Sequence, residues 1–193
     1  MVDLAKALWA EDALVVANGG AGIVAALAAC GGAVLIQRGH LVDIGGSPLR
    51  LIAMAGCRAV EVGLVDRCDP GEVERAEADA GLFVAEAARP GLVDLPAFLW
   101  ACHRRTRPVV AYLGTSPSWV APLDAGADLV IVDLARAAGG SGAVIAGRGG
   151  LVAGARAEVE RLPLLLAAAA GVAAEAEAQV VESLRRSSAT SEP

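Results

Sequence analysis

Two glycine-containing stretches hold the residue types that could do chemistry. Gln37-Arg38-Gly39-His40-Leu41-Val42-Asp43-Ile44-Gly45-Gly46-Ser47 places an arginine, a histidine and an aspartate within six residues. Arg38 can pair bidentately with a phosphate or a carboxylate, and His40 can exchange protons near neutral pH. No serine or cysteine stands in a nucleophile-elbow context, so a nucleophilic triad is not supported. The same loop also reads as a structural one in which Asp43 caps backbone amides. The second stretch is Asn18-Gly19-Gly20-Ala21-Gly22. Glycines there let the backbone approach a ligand, and a helix N-terminus offers free N–H groups to an anion. Gly20, Gly22 and Ala25 also fit G-x-G-x-x-A, the dinucleotide pattern. That pattern wants an acid after the second strand; Gln37-Arg38 stands there instead, which at best suits the 2′-phosphate of NADP. Three readings stay open for this stretch: a tight turn without a ligand, a phosphate site and a dinucleotide site.

These residues must be carried by strands and helices, and short β-branched runs mark the strands. They are expected at Ala13–Ala17, Ala33–Gln37, Ala59–Val62, Leu82–Ala85, Val109–Tyr112, Leu129–Val132 and Ala143–Ala146. Such near-continuous apolar runs suit strands covered on both faces. Helical periodicity fills Gly22–Cys30, Pro48–Ala55, Pro70–Ala78 and Leu95–Arg104 between them. Alternating strand and helix predicts a mostly parallel α/β sheet with helices on both faces. The seventh strand departs from this. Only Asp133 to Gly142 separates it from the sixth, too little for a parallel crossover, so it is expected to run antiparallel.

Residues 1–163 read as one large domain, 164–186 as an alanine-rich helix of the same domain, and 187–193 as a flexible tail. A helix over Leu151–Leu162, ended by Pro163, precedes that alanine-rich one. His103-Arg104-Arg105-Thr106-Arg107 reads as a solvated helix end complementing the dipole.

Composition narrows the function classes. Among 193 residues, 16 Lys plus Arg face 22 Asp plus Glu, a net charge of −6. Nucleic-acid surfaces need clustered cations, so no nucleic-acid partner is expected. The chain is 55% hydrophobic with six aromatic residues, three Trp, two Phe and one Tyr. Alanine dominates, which favours close backbone packing and burial against another subunit, so an oligomer is expected. The stretch Leu162 to Ala174 is too short to span a bilayer, which predicts a cytoplasmic protein without a membrane partner. Cys30, Cys57, Cys68 and Cys102 lack metal-ligand spacing, so no metal is expected and the thiols should be reduced. Fifteen arginines accompany a single lysine, Lys6, so amine chemistry has one candidate.

The order of motifs resembles the bacterial selenocysteine synthases, the L-seryl-tRNA(Sec) selenium transferases. The resemblance rests on Arg38 to Ser47, Ala55-Gly56-Cys57, Glu61-Val62-Gly63, Ala125 to Val130 and Gly139 to Arg148, and runs from about Glu11 to Arg156. It implies a pyridoxal-phosphate (PLP) enzyme fold of the aspartate-aminotransferase type, whose large domain has a seven-stranded mixed sheet. It also implies that Asn18, Gly19, Gly20 and Ala21 form the cofactor-phosphate turn. The family's Schiff-base lysine falls at Arg136, its pyridinium aspartate at Tyr112, and a ring-side histidine at Ala87. A guanidinium stays protonated and is no ordinary amine nucleophile, and a tyrosine supplies no fixed negative charge. At this length the chain is expected to lack the family's N-terminal tRNA-binding region and C-terminal small domain. These departures predict a truncated, degenerate member without PLP catalysis. Its expected role is a non-catalytic subunit, in a homo-oligomer or beside a catalytic relative, with Arg38, His40 and Asp43 as its candidate functional residues. The alternative is an enzyme or binding protein whose glycine turn holds a phosphorylated ligand, PLP or NADP.

Overall fold

The computed structural model describes residues 5, 9–37, 47–63, 69–85, 95–114, 121–134, 136 and 142–161. In chain order the elements are β1 Asp12–Val16, α1 Gly19–Cys30, β2 Ala33–Gln37, α2 Pro48–Met54, β3 Arg58–Val62, α3 Pro70–Arg75 and β4 Ala80–Ala85. They continue with α4 Leu95–His103, β5 Val109–Leu113, α5 Ala121–Asp124, β6 Leu129–Asp133, β7 Ala143–Gly147 and α6 Gly149–Arg161. All seven expected strands are present, each within two residues of its expected ends. The helix expected at 164–186 and the tail at 187–193 lie outside the described residues, as do Arg38, His40, Asp43, Lys6, Cys68 and Ala87.

The strands form one sheet in the order β1-β7-β6-β5-β4-β2-β3. β7 pairs antiparallel with both β1 and β6, while β6–β5, β5–β4, β4–β2 and β2–β3 are parallel. Six strands therefore share one direction and β7 is reversed, as the short sixth connection requires. Alternation along each strand splits the core in two. Val34, Ile36, Val110, Tyr112, Ile131 and Ile145 face a layer that includes Ile23, Leu27 and Val152 from the helices. Leu35, Ala111, Val130, Val132 and Val144 face Phe98, Leu99 and Val73 on the other side. α1 packs against the sheet, α2 and α6, which is why its residues from Gly19 to Leu27 are all buried. No helix of the described residues is long and apolar enough to cross a membrane.

Three local expectations need correction. α1 starts at Gly19 rather than Gly22, because the Asn18 side chain caps it. α3 ends at Arg75, not Ala78; its last carbonyls are taken by the Arg107 guanidinium, which bonds the oxygens of Val73 and Ala76. The four-residue α5 was not expected at all. Its signal is too short for periodicity to register.

The basic cluster after α4 also divides. Arg104 and Arg105 are exposed, but Arg107 is only 5% exposed and His103 bonds Asp128. Asp128 joins the starts of β5 and β6 to the end of β7. Its Oδ2 accepts from Val109 N at 2.8 Å, its backbone N donates to Val109 O at 3.0 Å, and its backbone O accepts from Arg148 N at 3.0 Å. Gly147 lies beside it at φ 155°, where a Cβ would collide with the Asp128 carbonyl oxygen.

Candidate functional site

The carboxyl ends of the six parallel strands lie on one edge of the sheet, where ligands of α/β proteins usually bind. β1 ends at Val16, and Ala17-Asn18 lead into α1 on this edge. Asn18 is extended, at φ −166° and ψ 172°, and its side-chain oxygen accepts from Ala21 N at 2.8 Å. Gly19, Gly20 and Ala21 are buried and form the first helical turn. One of that turn's free N–H groups is thus already used by Asn18.

Tyr112 and Asp133 fill the space beside this turn. Tyr112 stands opposite Ile131 in the β5–β6 pairing, so Asp133, two residues further along β6, points to the same face. The Tyr112 hydroxyl donates to Asp133 Oδ2 at 2.9 Å. The backbone N–H of Arg136 donates to Asp133 Oδ1 at 3.4 Å, while the Arg136 side chain is exposed. Tyr112 is 1% exposed and Asp133 5%. A Cβ on Gly19 would meet Asp133 Oδ2 and lie 2.7 Å from Tyr112 Cε2. Gly19 therefore admits two protein side chains against its Cα. The carboxylate thus lies beside the first turn of α1.

The structure thus brings together Asn18, Gly19, Tyr112 and Asp133 and sets the Arg136 backbone against them. Asp133 escaped the sequence reading. Its signal was available: an acid ends an otherwise apolar strand, on the parity that faces Tyr112. Neither Cys30 nor Cys57 is poised as a thiolate nucleophile. Burial, above all, pushes the Cys30 thiol up to about 11 and also raises Cys57.

PLP held through a lysine needs an amine near this edge and a fixed negative charge against its ring nitrogen. Arg136 offers no such amine, and Tyr112 presents a phenol whose proton is given to Asp133. The described residues here do not fit the group held in that way.

Residues 2–84 match the family model described as L-seryl-tRNA selenium transferase. A protein from Streptomyces sp, 5'-C-glycyluridine monooxygenase-decarboxylase, is 32% identical over 192 residues, covering 80% of this chain and 45% of that protein. Among solved structures, D-glucosaminate-6-phosphate ammonia-lyase superposes with a TM-score of 0.72 at 23% identity, covering 81% of this chain and 50% of that one. The pyridoxal-5'-phosphate dependent protein YhfS from Escherichia coli superposes with a TM-score of 0.64 at 18% identity, covering 81% and 45%. The chain spans about half the length of these proteins. Residues 2–84 thus resemble the L-seryl-tRNA selenium transferases, and by its superposition on these structures the chain has the PLP-dependent transferase fold.

Proposed function

We propose that this chain has lost PLP catalysis and works as a non-catalytic subunit, in a homo-oligomer or beside a catalytic relative of the same fold. The observation that carries this reading is the Tyr112–Asp133 pair packed against Gly19. It puts a buried carboxylate where a cofactor phosphate would seek the first turn of α1, and like charges there oppose each other. Arg136 in place of an amine, with its own N–H turned to the same carboxylate, supports the reading further. The alternative, a phosphorylated ligand on Asn18 to Ala21, has less support, since Asn18 is spent on capping and Gly19 is covered. Arg38, with His40 and Asp43, is the part of the chain assigned to a neighbour's anion in this reading.

The chain, incubated with PLP and then freed of unbound cofactor, is expected to show no stoichiometric absorbance above about 380 nm and no cofactor fixed by borohydride. Arg136→Lys alone should not restore activity, because Tyr112 still supplies no fixed charge. A yellow, borohydride-fixable adduct at one per chain overturns the proposal.

Assembly provides a separate check. Trp9, Met54 and Trp100 are 79%, 61% and 53% exposed, apolar surface that a second subunit can cover. Sedimentation at micromolar concentration and physiological salt is expected to give at least a dimer of the 19.3 kDa chain. Native mass spectrometry from the host should show a PLP-fold partner if the assembly is mixed. A clean monomer in both experiments removes the subunit role.

A further inference from the structure

The sheet edge opposite Asn18 carries a cleft of about 680 Å³ where β5 and β6 begin, lined by Glu11, His103, Asp128, Arg148 and Leu151 among others. Two of its lining charges are already spent. Arg107 gives its guanidinium to the carbonyls of Val73 and Ala76, and Glu11 Oε2 accepts from Gly149 N at 2.8 Å. His103 and Arg148 differ, because each is held from behind by one buried residue. Asp128, with its side chain 2% exposed, contacts His103 Nε2 through Oδ2 at 2.9 Å and Arg148 Nε through Oδ1 at 3.0 Å. Their side chains remain 37% and 66% exposed.

This arrangement sets what each group offers. A carboxylate against Nε2 selects the ring form that carries its proton there, so neutral His103 has an acceptor at Nδ1. That nitrogen has no partner among the described residues. Arg148 keeps the four N–H bonds of its two Nη atoms, which make no ion pair among the described residues. One cleft therefore holds a fork of donors and, on the neighbouring side chain, an acceptor. A single group that satisfies both carries an anionic oxygen and an O–H. A carboxylate or a sulfate has only the first near neutral pH, whereas a phosphate group that keeps one proton has both. The Glu11 carboxylate on the same wall opposes a dianion and favours that protonated form.

We propose that this cleft binds a phosphate group, inorganic or terminal on a small ligand, through the Arg148 Nη atoms and His103 Nδ1. The proposal does not rest on the loss of PLP catalysis, since it concerns the other edge of the sheet.

The chain has two histidines, His40 and His103, so its imidazole proton spectrum is simple and His40→Gln assigns it. Inorganic phosphate, titrated at constant near-neutral pH and ionic strength, is expected to move the His103 resonances along a saturating curve. Sulfate should bind at least tenfold more weakly, and so should phosphate to Arg148→Gln. A resonance that does not saturate, or equal binding of phosphate and sulfate, overturns the assignment. Arg156→Gln, which removes the exposed pair with Asp12 and a bond to the Ala13 carbonyl, should bind phosphate as the parent does. If Arg148→Gln fails to fold, the phosphate and sulfate titrations of the parent chain still decide.

Discussion

Asp128→Ala will destabilise the chain by about 3 kcal/mol, the largest effect expected of any single side-chain truncation described here. The main cost is the buried N–H of Val109, which loses its acceptor at 2.8 Å; an orphaned buried donor costs roughly 1–3 kcal/mol. Loss of the His103 and Arg148 contacts adds less, because both partners are well exposed and water replaces the carboxylate. For a domain of this length about 2–4 °C of melting temperature accompany each kcal/mol, so the midpoint should fall by roughly 6–12 °C. Asp128→Asn keeps an acceptor for Val109 and should lose about half as much. Thermal unfolding followed by circular dichroism gives both values. A drop under about 1 kcal/mol for Asp128→Ala would mean that Asp128 does not hold the strand starts together.

Gly19→Ala will lower stability by about 2 kcal/mol, against the usual direction of this substitution in a helix. Alanine ordinarily gains roughly 0.5–1 kcal/mol over glycine there, by reducing unfolded-chain entropy. At Gly19 the new methyl meets Asp133 Oδ2 and comes within 2.7 Å of the Tyr112 ring. Neither neighbour is the free end of a flexible chain: both belong to strand ends and are bonded to each other. Overpacking of this kind typically costs about 1–3 kcal/mol. The same substitution in an Asp133→Ser background should cost less, with a coupling of at least about 1 kcal/mol in the double-mutant cycle. Additive effects would show that Asp133 does not press on α1, and would remove the main support for a filled cofactor edge.

The two carboxylates divide the molecule in an instructive way. Asp133 lies on the edge where this fold's sites are usually built, yet it is enclosed by Tyr112, Gly19 and the Arg136 backbone. Asp128 lies on the other edge and leaves both of its partners, His103 and Arg148, partly exposed. Polar groups open to a cleft are therefore found where the fold alone would not direct a search.

The strands and their directions were legible in the residues themselves. Apolar runs such as Val109–Leu113 and Leu129–Asp133 are covered on both faces, so burial writes itself into sequence as a continuous signal. The reversal of β7 followed from chain length alone, since nine residues between strands cannot cross a sheet. The glycine turn was legible as a strand-to-helix junction, and so was the absence of an amine at position 136. What filled the site was not. Tyr112 and Asp133 are 21 residues apart, and their contact depends on the register of two strands that local patterns leave undetermined. The reading of Gly19 turned on the same contact, because a glycine that frees backbone for a ligand and one that admits a side chain look alike in one dimension. The basic run after α4 shows the limit again. Its charges suggested a solvated helix end, but burial of Arg107 and the bond from His103 to Asp128 depend on residues brought from α3 and the start of β6. Local periodicity determines which segments must be buried; only tertiary packing decides which polar group meets which, because those contacts join residues whose separation the chain does not encode locally.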